Sequence, residues 1–255
     1  MRAYSADALI LRTYRYGEAD RIVVFLTEDR GKKRGVAKNA TNSRRRFGAG
    51  LEALTRGRVA YVERESRELV RLDRIEPRVS PMTAAAGRSD GAGAHVLGHS
   101  AYFAELLDEW APDNAANERL FRLGASVADA LGQGGSIEAL GRYFEYWLLR
   151  LEGVYPALEV CPRCGEARLQ AGAVLVAVDR SYICGECAPG GAMLSPAAMR
   201  FLKTAGRQTP VQAGAAAVER GALRELEHVH HRLIAMHLDK ELRSARVVRE
   251  LRPGM

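Results

Sequence analysis

Two textures of apolar patterning divide the chain. Over the first eighty residues, β-branched and aromatic residues gather in short runs separated by turn residues; later they recur every three to four positions. Residues 4–14 (YSADALILRTY) and 20–28 (DRIVVFLTE) read as two strands. Tyr16-Gly17-Glu18-Ala19-Asp20 between them carries turn chemistry, so the pair predicts a hairpin. A second turn falls at Asp29-Arg30-Gly31, followed by a short strand over 32–38. Residues 39–50 (NATNSRRRFGAG) have loop composition, and 54–63 and 68–75 read as two further strands. Five short strands with no helix of ordinary length predict a small β-barrel, best matched by an OB-fold.

Pro77 and Pro81 bracket the expected domain boundary, because each pushes its neighbour towards extended backbone. Beyond them, helical spacing appears over 94–110, 114–131 and, most clearly, 136–152. Ser136 suits the cap of that third helix, and Ile137, Leu140, Phe144, Trp147, Leu148 and Leu151 form its apolar stripe. The ordinary role of such aromatics is core packing. Ser195-Pro196 fits the start of another helix over 196–205, and 222–250 reads as one long charged helix. The chain therefore reads as α+β and multidomain. A barrel spans 1–80, and an α-helical domain spans 81–255 with an insert at about 158–190. Residues 173–178 suggest a short strand within that insert.

Charge sharpens this division. The 255 residues carry a net charge of +7, and residues 1–80 hold nineteen Lys/Arg against eleven Asp/Glu. The remainder holds nineteen against twenty, so the whole basic excess lies in the predicted barrel. That asymmetry points to a polyanion-binding module joined to a near-neutral body. No signal-peptide core opens the chain, and the longest apolar stretch, 171–178, is too short to span a bilayer. The expectation is a cytoplasmic protein.

The insert holds all four cysteines, Cys161-Pro-Arg-Cys164 and Cys184-Gly-Glu-Cys187, with nineteen residues between the pairs. This spacing fits a tetrahedral four-thiolate site for one structural Zn²⁺. Gly165 and Gly185 follow cysteines where such turns often need positive φ. Four thiolates leave no open position, which argues against a zinc hydrolase. Two disulfides fit a reducing compartment poorly, and a redox pair does not explain a matched set.

Residues 30–46 contain eight basic residues and no acidic one: Arg30, Lys32, Lys33, Arg34, Lys38, Arg44, Arg45 and Arg46. Arg15 and Arg21 lie nearby, with Tyr14, Tyr16 and Phe47 as aromatics that could stack bases or fill the barrel. These ten cations are the expected nucleic-acid contacts. A basic run can also be a solvated loop. The cluster His228, His230, His231 and His237 lacks an HExxH pattern and reads as helix-surface or interface histidines. Phosphate loops, a nucleophile elbow and paired metal-binding carboxylates are all missing, so nothing points to an enzyme. Charge and fold alone leave an RNA-binding factor acting on ribosomal or transfer RNA as the alternative.

Three features together resemble the bacterial RecO family of recombination mediators. They are ALILRTYRYGEADRIVVFLT over 8–27 with Gly31 and the basic run after it, YFEYWLLRLEGVYPAL over 143–158, and the CxxC pairs directly beyond. The resemblance covers essentially the whole chain. It implies an N-terminal OB-fold and a helical domain with a zinc-finger element held by Cys161, Cys164, Cys184 and Cys187. It implies binding of single- and double-stranded DNA, annealing of complementary strands, and work with RecR and the single-stranded DNA-binding protein to help RecA load during repair of damaged DNA. The protein would be cytoplasmic and nucleoid-associated. For the acidic tail of the single-stranded DNA-binding protein, an arginine on the helical body such as Arg122 or Arg150 would suit a carboxylate.

Overall fold

The computed structural model describes every residue except 65, 67, 89–91, 189 and 252–255. Strands β1 (Arg2–Tyr16), β2 (Asp20–Thr27), β3 (Gly31–Ala37), β4 (Arg56–Glu63) and β5 (Val70–Val79) close into a barrel in the order β1-β2-β3-β5-β4. Only the β3–β5 pair is parallel, and β4 closes the barrel onto β1. This is an OB-like arrangement. The long β1 serves two partners, β4 along its first half and β2 along its second, with a register shift between Ile10 and Arg12. Such a bulge bends the strand and lets it turn a barrel corner.

Inward residues such as Ile10, Val23, Phe25, Val59, Tyr61 and Leu72 fill the barrel, and Phe47 from the long β3–β4 connection joins them. Phe47 is therefore a packing residue, unavailable to stack on a base. Leu9, Leu11, Val24 and Leu26 are buried as well. Leu9 meets Leu107 at Gly124, where any side chain would collide with both. Cover on both faces explains the unbroken apolar run of β2.

Helices follow: α1 (Pro81–Ala86), α2 (Gly93–Trp110), α3 (Glu118–Leu131) and α4 (Ile137–Leu151). β5 ends at Val79, between the two prolines, and Pro77 lies within it, opposite Gly57. β3 reaches β5 only at residues 70–72, so one edge of β5 has no strand partner at Pro77, and a missing N–H is tolerated there. Pro81 opens α1. α3 starts later than its spacing suggests, because Asn114 is left-handed and the Asn117 side chain accepts from the Leu120 N–H. Ser136 caps α4 as expected.

The insert forms a three-stranded antiparallel sheet in the order β7-β6-β8, with β6 (Ala173–Val176), β7 (Ser181–Cys184) and β8 (Ala192–Leu194). A single 3-10 turn precedes it at Leu169–Ala171. Only β6 was legible in the pattern. Then come α5 (Pro196–Ala205), capped by Ser195, and a short α6 (Pro210–Ala215) with a Thr209/Gln212 capping box. The expected single helix over 222–250 is two, α7 (Arg220–Leu238) and α8 (Arg243–Glu250). Asp239, at φ 53°, takes the left-handed conformation that ends α7.

The contacts divide the chain into two compact units, one running from Met1 to Gly134 and including α8, the other spanning Gly135–Glu241. In the first, α8 lies on α2. The Glu105 carboxylate accepts the Arg243 and Ser244 N–H groups at 3.2 and 2.8 Å, doing the work of an N-cap for α8. In the second, β8 lies on α7 and the 3-10 turn lies on α5.

Candidate metal centre and nucleic-acid interface

The four cysteines, 161, 164, 184 and 187, converge from two turns. Their sulfurs all lie within 4.8 Å of one another, with Cys164 Sγ 3.9 Å from Cys184 Sγ. A Zn–S bond of ~2.3 Å places tetrahedral sulfurs ~3.8 Å apart, so the donor set fits such an ion. Gly165 has φ 73°, as the first turn requires, whereas Gly185 does not adopt positive φ. The thiols are free. The Cys184 N–H, 3.4 Å from Cys161 Sγ, helps lower the Cys161 thiol to about 6. Cys187 is pushed up to about 12 by its hydrogen bond with Cys184 and by burial. Four crowded thiols resist joint ionisation unless a cation compensates them. The cluster can therefore hold a metal ion, with Cys161 and Cys184 buried and Cys164 exposed.

The ten expected nucleic-acid contacts separate into three groups. Lys32 and Lys33 are buried and paired with carboxylates. Lys32 Nζ donates to the Asp108 carbonyl at 2.6 Å and lies 3.4 and 3.5 Å from the Asp108 and Asp113 carboxylates; Lys33 Nζ meets Glu63 at 2.5 Å. Neither presents charge to a solvent-borne phosphate. Arg30 and Arg46 are half-buried and organise their surroundings. Arg30 lies 4.0 Å over the Tyr4 ring and pairs with Asp29, and Arg46 donates to the Lys38 carbonyl and Ser43 Oγ. Arg15, Arg34, Lys38, Arg44 and Arg45 are exposed, and Arg21 is half-buried opposite Arg15 on the neighbouring strand. Among the described residues, these six have no carboxylate partner.

Lys38 sits on the rim of an open groove of about 720 Å³ at one end of the barrel. Tyr16, Val36, Lys38, Arg64 and Arg71 line it, with Asp20 and Glu68 as its acidic members. Tyr16 is half exposed. The loop carrying Arg44 and Arg45 departs from this rim. It is tied to the β1–β2 turn by the Asn39 N–H to Asp20 and the Thr41 N–H to the Ala19 carbonyl. Arg64 and Arg71 were missed in the sequence because they lie outside the basic run. Arg71 was findable from the alternation of β5, where Val70 and Leu72 point inward.

In the second unit His228 and His237 are exposed on α7, His231 is half-buried and His230 is buried. His230 is fully buried, its Nδ1 2.9 Å from Glu145 Oε2 and its Nε2 2.9 Å from the Tyr155 hydroxyl. Tyr182 donates to Tyr155 in turn, so a chain of hydrogen bonds runs from β7 to α4. Burial pushes the Glu145 carboxyl up, but Arg142 at 2.9 Å and the histidine hydrogen bonds outweigh it and hold it well below the usual range. Burial holds the His230 imidazole below its ordinary value despite Glu145. Neutral His230 then donates from Nδ1 to Glu145 and accepts from Tyr155.

A smaller groove of about 310 Å³ also belongs to this unit. Arg150, Lys203 and Arg207 surround apolar lining from Leu158, Met199 and Leu202. Arg150 donates to the Tyr146 hydroxyl at 2.7 Å, and none of the three cations has a carboxylate partner among the described residues. Arg122, the other arginine considered for a carboxylate, pairs with Glu118 at 3.4 Å. No helix among the described residues is long and apolar enough to cross a membrane.

Comparison with known proteins agrees with this geometry. Residues 1–80 match the family model "Recombination protein O N terminal", and 94–246 match "Recombination protein O C terminal". The "DNA repair protein RecO" of Geobacter metallireducens is 32% identical over 99% of this chain and 100% of its own length. That of Geobacter sulfurreducens is 36% identical over 79% of this chain and 80% of its own, and that of Koribacter versatilis is 44% identical over 63% of each. Two matched domains and similarity along the whole length make the chain a member of the RecO family of DNA repair proteins.

Proposed function

We propose that this chain is a non-enzymatic recombination mediator. It binds single- and double-stranded DNA, anneals complementary strands and, with RecR, helps RecA load onto single strands coated by the single-stranded DNA-binding protein. The reading is carried by the exposed barrel cations that have no carboxylate partner among the described residues, Arg15, Arg34, Lys38, Arg44, Arg45 and Arg64, of which Lys38 and Arg64 line the groove. Cations already neutralised by protein carboxylates release no counterions from DNA, whereas free ones do. Tyr16 supplies an exposed ring on which a base can stack. Lys32 and Lys33 have no place in this surface.

The DNA-binding domain comprises residues 1–80 and the helical domain 81–255, with the metal insert at about 158–190. The metal is one structural Zn²⁺ on Cys161, Cys164, Cys184 and Cys187, which orders the insert and takes no part in chemistry. The acidic tail of the single-stranded DNA-binding protein docks in the groove of Arg150, Lys203 and Arg207. Charge complementarity and the apolar lining support that site. The protein works in the cytoplasm at the nucleoid.

The test is equilibrium binding to DNA and RNA of one sequence across a salt series. Binding of single-stranded DNA with a steep salt slope, reduced in Lys38→Glu and Arg44→Glu, is expected. A clear preference for RNA would favour a ribosomal or transfer-RNA factor instead.

A further inference from the structure

The wall of the small groove and the metal cluster belong to the same stretch of chain. Leu158, Glu159 and Gln170 line the groove, and Cys161 and Cys164 lie between them. Residues 157–168 contain no helix or strand, and their one buried side chain is Cys161. No apolar core of its own fixes this stretch. Its ties are the turn bonds Cys161 N–H to the Glu166 carbonyl and Gly165 N–H to the Cys161 carbonyl, the Arg163 bond to the Cys187 carbonyl, and the Arg168–Glu186 ion pair. These last two, with the Cys184 N–H 3.4 Å from Cys161 Sγ, lead to the second cysteine turn. A wall of this kind keeps its shape only while the two cysteine turns are clamped together. Gln170 Nε2 adds a weak bond to the Leu158 carbonyl at 3.4 Å, joining the two ends of the wall.

A second connection reaches the floor of the groove. Tyr182, two residues before Cys184, donates to Tyr155. Tyr155 meets Tyr146 edge to face with ring centroids 4.9 Å apart, and Tyr146 lines the groove and accepts from Arg150. The cluster thus touches the groove twice, once through the wall and once through the residue that orients its arginine.

We propose that metal occupancy of the four-cysteine cluster gates this groove, so that an acidic peptide docks tightly only while the cluster is loaded. The inference rests on the reading that the groove takes the acidic tail of the single-stranded DNA-binding protein. Loaded, the cluster holds Leu158 against the apolar lining of Met199 and Leu202. Stripped, the stretch over 157–168 loosens and the groove loses one side, while α4 and α5 keep their places through Trp147 Nε1 donating to the Ala205 carbonyl at 3.1 Å.

The experiment uses the full chain and a fluorescein-labelled peptide of that acidic tail, read by anisotropy, with zinc content measured on the same samples. The loaded protein is compared with protein stripped by a chelator and then reloaded. Stripping is expected to weaken the peptide by about tenfold or more, with recovery on reloading. Leu158→Asp in the loaded protein is expected to weaken it comparably while zinc stays at one per chain. This second variant keeps the test decisive if stripping unfolds the unit. Peptide binding that survives both stripping and Leu158→Asp, yet is lost in Arg150→Glu and Lys203→Glu, would overturn the gate and leave the docking site standing. Binding indifferent to Arg150→Glu and Lys203→Glu would overturn the docking site, and the gate with it.

Discussion

At the scale of single residues, the lesson is that cations close in sequence have different jobs. Lys32 and Arg34 project from the same face of β3, two positions apart, yet Lys32 is sealed beneath the end of α2 and Arg34 is exposed, with no carboxylate partner among the described residues. Lys32→Met leaves the buried Asp108 carboxylate short of a partner. Asp108 keeps Arg12, so the loss should be about 1–2 kcal/mol in a urea melt, with the salt slope of DNA binding unchanged. Arg45→Glu should do the reverse, with stability within ~0.5 kcal/mol of wild type and a salt slope flatter by about one. Equal behaviour of the two variants would show that burial does not sort these residues.

His230 gives a pH prediction. Its imidazole is held neutral in the fold by burial, faced by Glu145, Arg142, His231 and Tyr155. A histidine whose folded value lies below its unfolded value of 6.5 binds more protons when unfolded. Its contribution is therefore present above pH 6.5 and fades as pH falls below that. The depressed Glu145 carboxyl adds a second decline as pH falls below its unfolded value of 4.5. Melting temperature should drop on acidification from pH 7 to 5.5, and His230→Gln should flatten that drop. A profile in the variant as steep as wild type would assign the effect to other groups.

At the scale of elements, the barrel strands and the main helices were legible because their own residues carry the period. The unbroken run of β2 from Ile22 to Leu26 goes with burial on both faces, which the structure shows. What was hidden depends on partners distant in sequence. β7 and β8 lack the unbroken apolar run of β6 and form strands only by pairing with it. The break at Asp239 carries no Gly or Pro; it goes with the packing of Leu242, Ala245 and Val248 and with the cap that Glu105 supplies from α2. The cysteines were legible as a set because ligand spacing is local, but the groove residues Arg64 and Arg71 are brought to Lys38 by barrel closure. Gly31 illustrates such a distant constraint. It has φ 69°, and a Cβ there would lie 2.0 Å from the Ala115 carbonyl oxygen. Gly31→Ala should therefore cost more than ~2 kcal/mol in chemical unfolding, and a near-neutral result would mean the segment after α2 does not lie against the β2–β3 turn.

At the scale of the molecule, the proposed function assigns separate tasks to the two compact units. The first carries exposed cations on and near a barrel groove, and the second holds the four-cysteine cluster and a groove lined by Arg150, Lys203 and Arg207. Cys184→Ser should lower the stability of the second unit by several kcal/mol and leave barrel-dependent DNA binding nearly intact. Parallel loss of both would show that the units are not energetically separable. The central claim is that the free cations of the barrel let this chain pair complementary strands coated by the single-stranded DNA-binding protein. The most direct measurement is the rate at which two dye-labelled complementary DNA strands pair, bare and coated, at two salt concentrations. Acceleration on coated strands is expected, lost when Arg34, Lys38, Arg44 and Arg45 are replaced by Glu and retained in Lys33→Gln. No acceleration on either form of the strands, or acceleration that survives the fourfold charge reversal, would contradict it.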